Sequence, residues 1–69
     1  MRPFVVDVYH VSPKLEISKK RHEADTVEEA ERMMETYKAM GDVNRVVVGR
    51  RVPGSRSIDV KKAWNRPIS

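Results

Sequence analysis

Residues 26–41 are the segment whose local signals agree most closely, and they predict one amphipathic α-helix. Thr26 stands at the N-cap position, and Glu29, three residues later, completes a capping box. Gly41 follows the last apolar residue, where a left-handed residue often ends a helix. Apolar residues at helical spacing form one stripe between these ends, which is typical of a helix packed on a core. The stripe consists of Val27, Ala30, Met33, Met34, Tyr37 and Met40.

Four other segments predict β-strands. Residues 4–11 and 44–52 are rich in Val and alternate with period two, which favours central strands. Residues 15–22 and 57–64 predict the outer strands. The charged run 19–22 is typical of an edge strand protected against unwanted pairing, although the same run could contact phosphate.

Two glycines mark expected irregularities of the last hairpin. Gly49 lies inside a predicted strand, where glycine suggests a bulge or the close approach of another backbone. Pro53 and Gly54 predict a tight turn, because Pro presets one backbone angle and Gly tolerates the positive φ of a type II turn.

The element order predicts a two-layer ββαββ fold of the α+β class, with one helix packed on one face of a four-stranded, mainly antiparallel sheet. The preferred strand order is 2-1-3-4, with a right-handed crossover through the helix. We expect residues 1–64 to form a single domain and residues 65–69 a loose C-terminal tail. A three-stranded alternative applies if residues 19–23 form a loop. The predicted core comprises Phe4, Val6, Val8, Leu15, Ile17, Ala24, Val27, Ala30, Met33, Met34, Tyr37, Met40, Val46, Val48, Ile58, Val60 and Trp64.

Charge is distributed unevenly along the chain. The net charge is +4, yet residues 26–42 contain five acidic and two basic side chains. The rest of the chain is therefore strongly basic. This asymmetry indicates that the surface away from the helix prefers a polyanion or an acidic protein patch, unless both surfaces are simply solvated.

The sequence offers no pattern for catalysis, metal binding or cofactor binding. It contains no Cys, and His10 and His22 are isolated from each other and from any short ligand motif. Ser12 lies near His10 and Asp7, but an extended strand end gives them no triad geometry. No glycine-rich phosphate loop is present. We therefore expect a protein that is not an enzyme and that uses no metal or cofactor.

The N-terminal apolar run ends at Asp7, which makes it too short for a signal-peptide core or a membrane span. We expect a soluble cytoplasmic protein.

The preferred function is protein binding through the sheet face that the helix leaves uncovered. Val5, Val11 and Val47 would lie at its centre, with a rim that includes Glu16 and Asp59. The partner would present an acidic patch, and a homodimer through the same face is an alternative. The predicted contact residues are Tyr9, Val47, Lys20, Arg45, Arg51 and Lys61.

The alternative function is backbone-directed binding of DNA or RNA by the basic sheet and its last hairpin. The predicted phosphate contacts are Arg50, Arg56, Lys62 and Arg66. Sheets that bind RNA stack two or three aromatic residues on bases, whereas this face offers only Tyr9. The acidic helix would also repel a polyanion, so the protein partner is preferred.

In organisation, a very small Cys-free domain without a catalytic motif resembles the accessory, host-takeover and anti-defence proteins encoded by phages and mobile elements. The resemblance rests on size and the ββαββ layout, and on no specific motif. It implies a regulatory or inhibitory role.

Overall fold

In a computed structural model that describes residues 2–67, one helix packs on a four-stranded sheet. The strands β1 (Phe4–Val11) and β2 (Ile17–Ala24) precede the helix α1 (Val27–Lys38). The strands β3 (Val43–Arg51) and β4 (Ile58–Asn65) follow it. All neighbouring strands are antiparallel and their order is β2-β1-β3-β4, which confirms the predicted α+β fold and excludes the three-stranded alternative.

The helix begins as its sequence predicts but ends earlier. Thr26 is extended (φ −132°), and its Oγ1 accepts a hydrogen bond from the Glu29 backbone N–H at 3.1 Å. The Glu29 carboxylate in turn accepts one from the Asp25 N–H at 3.3 Å. At the other end Ala39 is the C-cap, in a right-handed conformation. The predicted left-handed end at Gly41 is therefore wrong, because the helix has already ended two residues before it.

The core lies between α1 and the central strands β1 and β3. Its buried residues are mainly small aliphatic side chains from the sheet, with Ala30 and Met34 from the helix. Phe4, Met33, Tyr37 and Trp64 pack at its margin, as expected. Met40 was expected in this core but is 40% exposed, since it follows the end of the helix. The fully formed core cluster is Val6, Val8, Ala24, Ala30, Met34, Val43, Val46 and Val48.

The first hairpin loop shifts the second strand relative to the prediction. Ser12 Oγ accepts hydrogen bonds from the backbone N–H groups of Lys14 and Glu16, at 3.3 and 3.1 Å. Leu15 adopts a left-handed conformation (φ 63°), so β2 starts only at Ile17. Leu15 and Ile17 are 81% and 64% exposed, and their expected place in the core is wrong.

A β-bulge changes the faces of the last strand. Val48 pairs with Lys62, whereas Gly49 pairs with Val60, so Lys61 is the extra residue on β4. The bulge expected at Gly49 is confirmed. It turns Ile58 and Val60 away from α1, because their partners Arg51 and Gly49 lie on the face of the sheet opposite the helix. The expected place of Ile58 and Val60 in the core is therefore wrong.

The C-terminal part is held more firmly than the sequence suggested. β4 includes Asn65, and the backbone N–H of Arg66 donates a hydrogen bond to the Asn44 carbonyl at 2.8 Å. The loose tail predicted from residue 65 is therefore wrong for residues 65 and 66. Residues 68–69 of that predicted tail lie outside the described residues. The turn at Pro53 and Gly54 contains the expected positive φ, 74° at Gly54.

Candidate functional site

The sheet face away from α1, here called the open face, has no helix or strand over it among residues 2–67. Cross-strand pairing places its side chains in rows. One row joins Arg21, Asp7 and Val47, and the next joins Lys19, Tyr9 and Arg45. The open face consists of Val5, Asp7, Tyr9, Val11, Ile17, Lys19, Arg21, Glu23, Arg45, Val47, Gly49, Arg51, Ile58, Val60, Ala63 and Asn65.

The centre of the open face exposes little apolar surface, because its side chains are buried within the sheet itself. Val5 and Val47 are buried although no further layer covers them. Gly49, the partner of Val5 on β3, has no side chain, and an added Cβ there would lie 2.7 Å from Ile58 Cδ1. Val47 therefore lies on the predicted face but offers little contact area. The exposed apolar surface is displaced to the margins, at Val60 and Ile17.

A buried ion pair crosses the middle of this face. Asp7 Oδ1 and Oδ2 accept hydrogen bonds from Arg21 Nε at 2.7 Å and Nη2 at 3.0 Å. The Asp7 side chain is 5% exposed and that of Arg21 is 34% exposed. The hydrogen bonds to Asp7 raise the pKa of the Arg21 guanidinium further above its ordinary value. This bidentate pair neutralises the charge of Arg21, so Arg21 contributes little electrostatic attraction for a partner.

Tyr9 and Arg45 form the aromatic and basic part of the open face. The Arg45 guanidinium carbon lies 5.4 Å from the centre of the Tyr9 ring, which is within cation–π range. Lys19 flanks Tyr9 on the other strand. In the part of the chain that the structure describes, neither Arg45 nor Lys19 has an ion-pair partner, so this corner combines exposed positive charge with an aromatic ring.

Arg51 lies at the opposite end of the open face. Its Nη2 is 3.3 Å from Glu23 Oε2, and its Nε donates a hydrogen bond to the Arg2 carbonyl at 3.0 Å. The Glu23 carboxylate also accepts a hydrogen bond from the Arg2 backbone N–H at 3.3 Å. The bond from Arg2, followed by that from Arg51, lowers the pKa of Glu23. Arg51 therefore connects the open face to the N-terminal segment.

Two of the predicted contact residues do not belong to the open face. Lys20 pairs with Val8, which faces α1, so Lys20 lies on the helix side of the sheet. The five-residue hairpin loop places it there, because it changes which residues of β2 point to each face. Lys61 is the extra residue of the bulge, and its Nζ lies 2.7 Å from Asp59 Oδ2. The predicted rim residue Glu16 lies in the hairpin loop before β2.

A second feature is an open groove of about 800 Å³ at the end of the sheet where β1 begins and the β3–β4 hairpin turns. Four arginines from the N-terminal segment, β3 and the hairpin line it, and we call it the arginine groove. Its apolar surface comes from Pro3, Val52 and Pro53, and Asp59 is its one acidic lining residue. The four arginines are Arg2, Arg50, Arg51 and Arg56.

The predicted phosphate contacts do not form one cluster. Arg50 and Arg56 line the arginine groove, but Lys62 Nζ lies 3.6 Å from Glu31 Oε1 on the helix. Arg66 is at the other end of the sheet, where its guanidinium donates to the Met40, Val43 and Lys38 carbonyls at 2.6, 2.9 and 3.2 Å. It also lies 5.1 Å from the centre of the Trp64 ring. Arg66 therefore binds the end of the helix rather than an external phosphate.

Sequence reasoning missed Arg2 as a member of the groove. A signal was available, because the order β1-β3 in antiparallel pairing places the residues before Phe4 beside the residues after Arg50. The backbone N–H of Arg51 indeed donates to the Pro3 carbonyl at 2.8 Å.

The two histidines have separate partners. His10 Nδ1 lies 3.0 Å from Asp42 Oδ2, and this hydrogen bond lowers the pKa of Asp42. The His22 ring stacks on Tyr37 with the ring centres 5.0 Å apart. Within residues 2–67, no group of three or more His, Asp or Glu side chains is placed to hold a metal ion. The single helix of this range falls short of the length and apolarity needed to cross a membrane.

Comparisons with protein-family models, with curated proteins and with solved structures found no match to this chain.

Proposed function

We propose that the protein is a cytoplasmic, non-enzymatic binding module that regulates or inhibits another protein by contact with an acidic patch. The contact surface is the open face. The observation that supports this function is the Tyr9–Arg45 pair on a sheet face that no other element of the described chain covers. Aromatic and arginine side chains are the residues that most often dominate the energy of protein interfaces.

The charges of the open face indicate where the acidic patch would bind. Arg21 is neutralised by Asp7, and Arg51 is partly neutralised by Glu23. Lys19 and Arg45 retain their positive charge beside the Tyr9 ring. A carboxylate of the partner would therefore bind at this corner, with apolar contacts supplied by the margins of the face.

The same charges disfavour a homodimer through the open face. Two copies joined there would bring two basic surfaces together, and like charges across an interface oppose association. Size-exclusion chromatography with light scattering distinguishes the two cases. We expect a monomer.

Nucleic-acid binding has less support than the basic residues of the last hairpin suggest. Lys62 and Arg66 have internal partners, and the open face presents one aromatic ring where RNA-binding sheets use two or three. A backbone contact would thus depend on the arginine groove alone.

The test compares two variants with the same change in net charge. Wild-type protein, Arg45→Glu and Arg32→Glu are immobilised and exposed to a nuclease-treated lysate of the cells in which the protein is native. Arg32 is an exposed helix residue outside the open face, so its variant is the control. We expect proteins retained by both the wild type and Arg32→Glu to be lost with Arg45→Glu, as measured by quantitative mass spectrometry.

Addition of Tyr9→Ala to Arg45→Glu should remove the remaining binding. If the double variant retains the same proteins as the wild type, the open face is not the contact surface. If the wild type retains proteins from an untreated lysate but none from the nuclease-treated one, the partner is a nucleic acid.

A further inference from the structure

The arginine groove contains more positive charge than its own residues neutralise. Arg51 is paired with Glu23, and Arg2 Nε lies 3.5 Å from Asp25 Oδ1. For Arg50 and Arg56, by contrast, no ion pair or side-chain hydrogen bond occurs within residues 2–67, and both residues are exposed. Two guanidinium groups of the groove are thus free to bind an external anion.

The acidic lining residue does not neutralise them. Asp59 pairs with Arg50 across the strands, but its carboxylate is held by Lys61 Nζ at 2.7 Å. The negative charge of Asp59 is therefore partly neutralised by Lys61, which does not line the groove. The field inside the groove remains positive and favours an anionic ligand.

The surface between the arginines is apolar and conformationally restricted. Pro3 and Pro53 have fixed φ angles, and Val52 is 38% exposed. A ligand that contains only charged groups would leave this apolar surface in contact with water. A peptide with an apolar side chain between acidic ones would cover it and place carboxylates on the guanidinium groups.

The arginine groove is continuous with the open face. Arg51 lines the groove and also pairs with Ile58 on the open face. A protein seated on the open face can therefore extend a segment into the groove without leaving the surface.

We infer that the arginine groove binds an extended acidic segment of the same partner protein, in which Asp or Glu side chains flank an apolar residue. The segment's carboxylates would bind Arg50 and Arg56, and its apolar side chain would contact Pro3, Val52 and Pro53. This inference rests on the proposed function, because it assigns the groove to a protein partner.

The test uses a short fluorescent peptide of glutamate and leucine at low salt, where charge interactions are least screened. Anisotropy is measured with the wild type, with the groove variant Arg50→Ala/Arg56→Ala, and with the control variant Lys14→Ala/Arg32→Ala. Both double variants lose two exposed positive charges. We expect the groove variant to bind about tenfold or more weakly, since two charge-assisted contacts are lost, and the control to remain within about twofold.

Two further probes identify the ligand class. A peptide in which serine replaces leucine should bind more weakly than the leucine peptide, because it cannot cover the apolar surface. Single-stranded DNA of equal charge should also bind more weakly. The inference is overturned if the wild type does not bind the leucine peptide, if the groove variant binds it as well as the control does, or if DNA binds more tightly than the peptide.

Failure of this inference can be distinguished from failure of the proposed function. In the lysate experiment, loss of a partner with the Arg45→Glu variant but not with the groove variant contradicts the groove and leaves the open face as the site. Retention of the partner by both variants contradicts the proposed function itself.

Discussion

Asp7 is the one buried charged residue among residues 2–67, and it lies on the sheet face that no helix covers. A carboxylate in such a position is stable only when its charge is matched, because removing it from water is expensive. Arg21 supplies two parallel hydrogen bonds from the neighbouring strand. The pair fixes the register of β1 and β2 on this face and also determines which basic residues remain available to a partner.

The two halves of this ion pair should differ in their contribution to stability. Arg21→Gln leaves the buried Asp7 carboxylate without its partner and should lower the free energy of unfolding by about 2 kcal/mol. This value is below the ~3–5 kcal/mol of a fully buried pair, because the Arg21 side chain is 34% exposed and water screens it. Asp7→Asn should cost less, about 1 kcal/mol, since Arg21 can turn to solvent. Urea denaturation measures both values.

The double variant Asp7→Asn/Arg21→Gln gives the control. We expect it to be no less stable than Arg21→Gln alone, because the unmatched carboxylate is gone. Strictly additive losses would show that the two side chains do not interact in solution.

At the scale of elements, the local signals predicted the order of strands and helix, but not which face several strand residues occupy. Gly49 predicted a bulge or the close approach of another backbone, yet the sequence could not show that Lys61 would be the extra residue on β4. That one residue moves Ile58 and Val60 from the helix side to the open face. The hairpin loop has the same effect on β2, where the left-handed Leu15 displaces the start of the strand.

The bulge should tolerate a side chain at Gly49 poorly. An added Cβ would lie 2.7 Å from Ile58 Cδ1 and 3.1 Å from the Asp59 carbonyl oxygen. The side-chain atom can move, but the backbone oxygen cannot do so cheaply, so Gly49→Ala should cost about 1–2 kcal/mol. Thermal or urea denaturation provides the measurement.

Gly41→Ala is the matched control for this substitution, because no atom lies within 4 Å of a Cβ at Gly41. Alanine there should be neutral or stabilise by up to about 1 kcal/mol, through the reduced freedom of the unfolded chain. Equal effects at the two glycines would contradict the close approach of β4 to Gly49.

Arg66 connects β4 to the end of α1, and this contact could not be predicted from the sequence. Its guanidinium donates to the carbonyl of Lys38 in the last turn of α1, where a helix leaves carbonyls without partners, and to those of Met40 and Val43 in the connection to β3, all more than twenty residues earlier in the chain. Arg66→Lys should lose most of this stabilisation, about 1–2 kcal/mol, because one ammonium group cannot reproduce the planar fork. Arg56→Lys, at an exposed site, should change stability by less than about 0.5 kcal/mol in the same urea assay.

The candidate site was predictable to the extent that it depends on alternation within one strand. Tyr9, Arg45 and Arg51 lie on the expected face because β1 and β3 pair in one continuous register from Phe4–Arg50 to Tyr9–Arg45, and Arg51 directly follows this stretch. Lys20 and Lys61 do not lie on that face, since their positions are set by a hairpin loop and a bulge that the alternation within a strand does not predict. Lys62 and Arg66 were misassigned for another reason. Their partners on and beyond the helix are distant in sequence, and contacts of this kind follow from tertiary packing alone.

At the scale of the whole molecule, acidic side chains near the surface hold segments together through charge. Hydrogen bonds from Arg2 and Arg51 lower the pKa of Glu23, and the bond with His10 lowers that of Asp42. Each carboxylate therefore releases its proton more readily in the folded than in the unfolded protein. Such groups stabilise the fold fully above the unfolded pKa of about 4, and this contribution is lost as the pH falls through the lower folded pKa.

We therefore expect the urea midpoint to be constant above about pH 5 and to fall as the pH decreases below about 4. The variant Glu23→Gln should show a weaker decrease than the wild type in that range, because one of the two carboxylates no longer titrates. Glu28→Gln, on the exposed first turn of the helix, is the control. The linkage would be refuted if Glu23→Gln and the wild type had identical pH profiles.

The strand order has a practical consequence for attaching the protein to a surface or a label. β1 and β4 both run antiparallel to β3, so they point in the same direction. Arg2 therefore lines the arginine groove at one end of the sheet, while Arg66 lies at the other end, about one strand length or roughly 25 Å away. A dye or resin linked through the N-terminal side would obstruct the groove, whereas one linked next to Arg66 would leave the groove open but lie close to the Tyr9–Arg45 corner, because Arg45 pairs with Asn65.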